Sequence, residues 1–259
     1  MSEFKLTFLG TCAYDFSPKL MNKYKDCFDY DARRASSILL NDKFLLDCGP
    51  HCCNALDIIG KDYSEITDVF FTHFHCDHYD ANGLKTIACD RKRPLRVWLR
   101  SDAMLPEVDN VYFMRMNSEV EYQIDSQTSV IGLKANHDRK AFPQWLLFNR
   151  NGKKFLYALD GAWYINETYN YLKNSHLSLM VMDATVGNKI GDYRMAEHNS
   201  IPMIRMMLPS LKAVGIVDEN TKIFLSHIAP SLHNSHMETD RLAKKFGARA
   251  AYDGLTVEV

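Results

Sequence analysis

The chain has 259 residues, 46% of them hydrophobic, with a formal net charge of -1. That is enough to bury a sizeable core as one domain spanning 1–259, and it excludes the strongly basic field of a nucleic-acid binder. There is no charged start followed by an apolar stretch of signal-peptide length, and no membrane span, so the expected address is the cytoplasm.

Strand-type apolar runs open the chain at 4–9, 37–40 and 44–46. Between the first two, residues 11–36 are irregular and rich in Lys, Asp, Tyr and Arg, and they are expected to arch over the surface near a site. The run at 44–46 ends in Asp47-Cys48-Gly49, and a helical pattern follows at 51–59. The next run, 69–71, breaks directly into His73-Phe74-His75-Cys76-Asp77-His78. Residues two apart share a face only in an extended chain, so His73 and His75 can grip one ion if the backbone there is strand-like. Asp77 and His78 lie where Asp80, Asn82 and Gly83 turn the chain, and they can point at a second ion. Imidazole with carboxylate suits zinc, manganese or iron, so two divalent transition-metal ions, zinc first, are the expected cofactors. The bland alternative is a surface loop that merely contains histidines.

A helix is expected at 82–88 and a strand at 95–99, flanked by the basic run Arg91, Lys92, Arg93, Arg96 and Arg100, read as a solvated rim. Further strands fall at 130–133, 146–148, 155–159, 177–182, 223–225 and 255–259, and further helices at 166–172, 201–214 and 238–246. His137, Asp160, Asp183 and His227 each follow one of these strand-like runs. Met203, Met206, Met207 and Leu208 have helical spacing and are expected in the core. The seven cysteines, an odd count without a pairing pattern, read as reduced thiols, with Cys76 as a small filler behind the site. No internal repeat is visible.

The His-x-His-x-Asp-His segment, the early Asp47-x-Gly49 and the downstream His137, Asp160 and His227 together resemble the metallo-β-lactamase superfamily. The resemblance implies an α/β architecture, an αββα sandwich of two mixed sheets flanked by helices, which the order of elements fits. It also implies that His73, His75 and His137 hold one ion, that Asp77, His78 and His227 hold the other, that Asp160 bridges, and that Asp47 orients the ligand loop. A structural zinc carried by some relatives in the early insertion is not expected, because Cys12 and Cys27 are not closely spaced. His233 and His236 are expected to serve a polar loop.

Flavo-diiron relatives have glutamate where this chain has His75, which argues against redox chemistry. Met182-Asp183-Ala184-Thr185 and Glu197-His198-Asn199-Ser200 resemble paired signatures of the phosphodiesterase branch that contains ribonuclease Z and the PhnP-type enzymes. There the histidine protonates the leaving oxygen and the carboxylate orients it, which makes Asp77, Asp183 and His198 the candidate catalytic residues. Asp183 can also be read as a turn residue, and His198 as the residue before a helix capped by Asn199 or Ser200. Arg33, Arg34 and Ser36 sit where PhnP-type relatives have a comparable polar segment, but the cysteine pattern departs from theirs. Residues 161–197 hold no long basic arm, which favours small substrates over folded RNA.

The expected activity is a dinuclear metal-dependent hydrolase, a phosphodiesterase acting on small or cyclic phosphate esters through a metal-bound hydroxide. The alternative is hydrolysis of a lactone, thioester or other carboxylic derivative. The implied partner is a small phosphate ester, with no membrane and no nucleic acid, and a homodimer is left open.

Overall fold

The structure is a computed structural model and describes residues 2–259. In chain order the strands of its first half are β1 (Lys5–Gly10), β2 (Ser37–Leu40), β3 (Phe44–Leu46), β4 (Asp68–Phe70), β5 (Leu95–Arg100) and β6 (Val111–Met116). The rest are β7 (Glu121–Gln123), β8 (Thr128–Lys134), β9 (Gln144–Arg150), β10 (Lys153–Ala158), β11 (Leu179–Asp183), β12 (Lys222–Ser226), β13 (Ala248–Ala250) and β14 (Thr256–Glu258). Helices are α1 (Pro18–Lys23), α2 (Cys52–Ile58), α3 (Ala81–Ala88), α4 (Asn166–Leu172), α5 (Ile201–Ala213) and α6 (His236–Lys244). None is long and apolar enough to cross a membrane.

The strands form two 7-stranded sheets, ordered β14-β1-β2-β3-β4-β5-β6 and β13-β12-β11-β10-β9-β8-β7. Both sheets are mixed in the same way. In the first, the pairs from β14 through β3 are antiparallel and those from β3 through β6 are parallel. In the second, β7 through β10 pair antiparallel and β10 through β13 parallel. The architecture thus repeats itself although the sequence shows no repeat, and β3 and β10 hold equivalent positions.

Alternation of side chains along each strand builds three apolar layers. Phe44, Leu46 and Phe70 of the first sheet meet Phe148, Phe155 and Val181 of the second in the central layer. Leu45 and Val69 face outward onto Leu56, Leu84 and Ile87 of α2 and α3. Met180 and Met182 face outward onto Ile204 and Leu208 of α5. Strands covered on both faces must be apolar at nearly every position, which is why they appear in the sequence as continuous runs. The α/β sandwich expected from the sequence is the observed fold. The strands missing from the expectation, β6, β7 and β13, are all at sheet edges, where burial is incomplete or the residues are small and the apolar signal fades. The short α1, which buries none of its residues, was missed as well.

Two local expectations need correction. Met206 is 71% exposed, so the methionine stripe of α5 puts only Met203, Met207 and Leu208 in the core. The basic run is not simply a solvated rim: Arg91 donates to the carbonyls of Tyr63 and Ile66, and Arg96 pairs with buried Asp68 at 2.8 Å. Arg33 and Arg34 are buried anchors of the 11–36 segment. Arg33 donates to Thr11 Oγ1 and Ala251 O, and Arg34 to Tyr24 O and Asn54 Oδ1.

Asp68 lies fully buried on β4, where its Oδ1 accepts from Trp98 Nε1 at 2.6 Å and its Oδ2 from Thr67 and Arg96. Trp98→Phe keeps a ring on Phe70 but orphans Oδ1, so it should cost about 1–3 kcal/mol in urea denaturation. Wild-type stability in that variant would mean the bond contributes nothing.

Candidate metal centre

The parallel strands of both sheets deliver their C-terminal ends to one edge of the sandwich, and the polar residues that follow them converge there. Asp47 follows β3 and the loop 72–78 follows β4, while Asp160, Asp183 and His227 come from the ends of β10, β11 and β12. Asp47, Asp160 and His227 have positive φ of 58°, 49° and 55°. Such backbone is uncommon outside glycine and clusters at functional sites; here it occurs at the strand ends that feed the site. Gly49 has a separate reason: a Cβ there would lie 1.9 Å from the carbonyl oxygen of Asp77, so only glycine lets the β3 turn touch the ligand loop.

Two groups of donors result. His73 Nε2 lies 3.1 Å from His75 Nδ1, and His137 Nε2 lies 3.0 Å from the same atom. Asp160 Oδ1 completes this group at 3.8 Å from His73 Nε2 and 3.7 Å from His137 Nε2. In the second group His78 Nε2 faces His227 Nε2 at 3.1 Å, and Asp77 Oδ2 lies 3.5 and 3.3 Å from them. Asp160 turns its other oxygen to this group, with Oδ2 at 2.9 Å from His78 Nε2 and 3.2 Å from His227 Nε2. A tetrahedral site with bonds of about 2.0–2.1 Å has ligand–ligand edges of about 3.3 Å, which these spacings bracket.

The outward-facing ring nitrogens fix the tautomers. His78 Nδ1 donates to Asp47 Oδ2 at 2.9 Å, and Asp47 also accepts from Thr72 N and Oγ1. His73 Nδ1 donates to Thr72 Oγ1 at 3.0 Å and His227 Nδ1 to Thr185 Oγ1 at 2.7 Å. With those protons outward, the Nε2 lone pairs of His73, His78 and His227 point inward, where lone pairs 3.1 Å apart repel unless a proton or a cation lies between them. His137 Nδ1 is buried without any hydrogen-bond partner. The donor set therefore fits a pair of divalent transition-metal ions.

Charge points the same way. Burial alone would raise the Asp160 carboxyl, but His227, His78 and His73 override it and hold it well below the usual range. Burial lowers His78, yet Asp160, Asp77 and Asp47 pull it well above its ordinary value. Without an ion, the buried carboxylates draw protons onto His78 and His227, whereas burial holds His73 and His137 below their ordinary values, as neutral nitrogen donors.

Beside these groups His198 Nδ1 lies 2.8 Å from Asp183 Oδ2 and 3.9 Å from Asp160 Oδ1. Asp183 is fully buried and also accepts from the Asn199 backbone and the Thr185 hydroxyl. Ser200 caps α5 through Met203 N at 3.4 Å, while His198, two residues earlier, turns to Asp183. Burial pulls His198 down, but the Asp183 carboxylate outweighs it and leaves the imidazole above its ordinary pKa.

All of these groups except the buried Asp183 and the most deeply set imidazoles line one cavity of about 340 Å³, walled by Tyr14, Asp15, Arg194 and Glu197. The 11–36 segment thus reaches the site, through Ala13, Tyr14 and Asp15. Cys76 is not a buried filler: it is exposed and part of the cavity wall. His233 and His236 stay outside the donor groups; His233 binds Ala184 O and Thr239, and His236 opens α6 and meets Arg33. Sequence reasoning gave no role to Thr72 or Thr185. Each is a hydroxyl within two residues of a named candidate, but which nitrogen it bonds exists only in three dimensions.

The family model described as Anti-Pycsar protein Apyc1 matches residues 34–97, the stretch from β2 through the ligand loop into β5. No curated protein matches. Among solved structures, the metallo-β-lactamase fold protein YhfI from Bacillus subtilis is similar with a TM-score of 0.76 at 14% identity, covering 100% of both chains. A diphosphatase from the PhnP family has a TM-score of 0.73 at 17% identity, over 99% of this chain and 97% of that one. The short form of human tRNase Z has a TM-score of 0.68 at 16% identity, over 98% and 99%. At these identities the likeness defines the fold, and this chain has the metallo-β-lactamase fold.

Asp47 supports His78 and the ligand loop without facing the cavity. Asp47→Ala is expected to weaken divalent-metal affinity by about 10- to 100-fold in chelator competition. Unchanged affinity would remove Asp47 from the support of the centre.

Proposed function

We propose that this chain is a metal-dependent phosphodiesterase that opens small or cyclic phosphate esters. The observation that carries the reading is the His198–Asp183 pair at 2.8 Å, set 3.9 Å from the carboxylate shared by both donor groups. His73, His75 and His137 would hold one ion, Asp77, His78 and His227 the other, and Asp160 both. When bound, the ions supply an activated water near neutral pH and neutralise charge on the ester oxygens. The phosphate-directed names among the structural neighbours, a diphosphatase and a tRNase, support the same class. A cavity of about 340 Å³ suits a small ester.

The chain's own contribution is a proton at the leaving oxygen. Asp183 occupies His198 Nδ1, so the proton available for delivery is the one on Nε2. Asp183 also raises the imidazole's pKa, which keeps more of the acid form present near neutrality. Thr185 holds Asp183 Oδ2 at 3.1 Å and His227 Nδ1 at 2.7 Å, and so ties the acid pair to the metal group.

Purified protein is expected to carry close to two transition-metal ions per chain, with hydrolysis of bis(p-nitrophenyl) phosphate abolished by chelation. One ion at saturation, with Asp160→Ala fully active, would refute the shared carboxylate. Turnover of a chromogenic lactone far above that of the phosphodiester would replace the reading with carboxylic-ester hydrolysis.

His198→Ala should retain both metals yet slow turnover of alkyl-leaving esters by about two to four powers of ten, and less when p-nitrophenolate leaves. Because the active form is protonated, activity should fall as pH rises through the raised His198 pKa, and Asp183→Asn should move that fall to lower pH. Metal loss in His198→Ala, or equal slowing of good and poor leaving groups, would make His198 a ligand or a binding residue instead.

A further inference from the structure

Adjoining the metal cavity is a second cavity of about 450 Å³, and His75 lines both. His198 belongs only to the first. The walls of the second are aromatic and aliphatic, formed by Phe74, Tyr79, Leu105 and Phe142, with Asp138 and Lys140 as its polar groups. Phe74, Tyr79 and Phe142 pack against the core between the first sheet and α2–α3 but remain half-buried. Met104 and Leu105 stand 78% and 46% exposed on the far lip.

The wall is held in place from several sides. The Phe74 N–H donates to Ala141 O at 3.2 Å, which joins the ligand loop to the segment carrying Phe142. Phe74 and Tyr79 meet edge to face at 5.3 Å. Phe142 has φ of 56°, unusual for a bulky residue, and the Arg100 guanidinium lies 5.7 Å over its ring while donating to Pro143 O. A rigid, half-exposed aromatic wall beside a reactive centre is built to hold a flat apolar face.

Resting on the phosphodiesterase reading, we propose that this cavity seats an aromatic ring carried by the alcohol that stays on the phosphate. The leaving oxygen must lie at His198, so the retained group is the one that extends past His75. A ring stacked on such a wall gains about 1–3 kcal/mol, and Asp138 as acceptor with Lys140 as donor can meet heteroatoms on its edge. A second phosphate is disfavoured, because the single Lys140 is offset by Asp138, which also accepts from Lys140 N at 3.0 Å and lies 3.6 Å from His75 Nε2.

Bis(p-nitrophenyl) phosphate and methyl p-nitrophenyl phosphate release the same phenolate and differ only in whether the retained group is a ring or a methyl. In the metal-loaded protein, Leu105→Asp should lower the ratio of their kcat/KM values about tenfold relative to wild type, mainly through KM, and Met104→Asp should lower it in the same direction. Dividing by the wild-type ratio cancels the intrinsic reactivity of the two esters, and the exposed positions spare the fold. Ratios unchanged in both variants, with both esters hydrolysed, would overturn the ring cavity while leaving the phosphodiesterase reading intact. Should neither ester be hydrolysed, that reading falls, and calorimetric titration with p-nitrophenyl phosphate decides the cavity: binding weakened by Leu105→Asp sustains it, and equal binding refutes it.

Discussion

Buried imidazole lone pairs directed at one another are the constraint on which the rest of this structure depends. His78 and His227 bring their Nε2 atoms to 3.1 Å, and each has its other nitrogen committed outward. That arrangement is costly in an empty, dry site and favourable around a cation, so the surrounding bonds must be strong enough to hold it before an ion arrives. Asp47, Thr72 and Thr185 serve that purpose, and they are themselves fastened to strand ends that the two sheets fix.

The doubled topology explains how a small set of strand ends can bring both donor groups together. Equivalent strands β3 and β10 each end in an aspartate with left-handed backbone, Asp47 in one half and Asp160 in the other. One aspartate accepts hydrogen bonds behind the ligands; the other faces both donor groups directly. Equivalent geometry has thus been put to different uses: Asp47 meets the ligand loop of its own half, whereas Asp160 meets histidines of both halves. The close approach at Gly49, where no side chain fits, lets the first half's turn press on the second ligand group through Asp77.

The His198–Asp183 pair and the aromatic wall occupy different sides of the centre. His198 and Asp183 come from the second sheet and its capped helix, whereas the aromatic wall comes from the first sheet's ligand loop and the segment around Phe142. His75 stands between them, only partly buried, while the imidazoles of His73 and His78 are fully enclosed. Enclosure protects the donors that set the charge of the centre, and exposure at His75 keeps a path open to the neighbouring cavity.

Much of this was legible in one dimension because apolar runs buried on both faces are long and end abruptly in polar residues. Central strands such as β4 and β10 announce themselves in that way, and so do the His73–His78 cluster and the residues after each run, which the fold brings to one edge. Edge strands β6, β7 and β13 did not, since a strand covered on one side only needs no continuous apolar sequence. Nor could spacing distinguish Cys76 as filler from Cys76 as cavity wall, place Arg33 and Arg34 in the interior, or bring Met206 to the surface, because burial depends on what another element lays over a residue. The donor types and their order along the chain were determined by the sequence alone; which nitrogen of each histidine faces inward, which oxygen of Asp160 serves which group, and the aromatic cavity beside His75 were decided only when distant strand ends met, since hydrogen-bond direction and cavity shape are properties of contacts and not of residues.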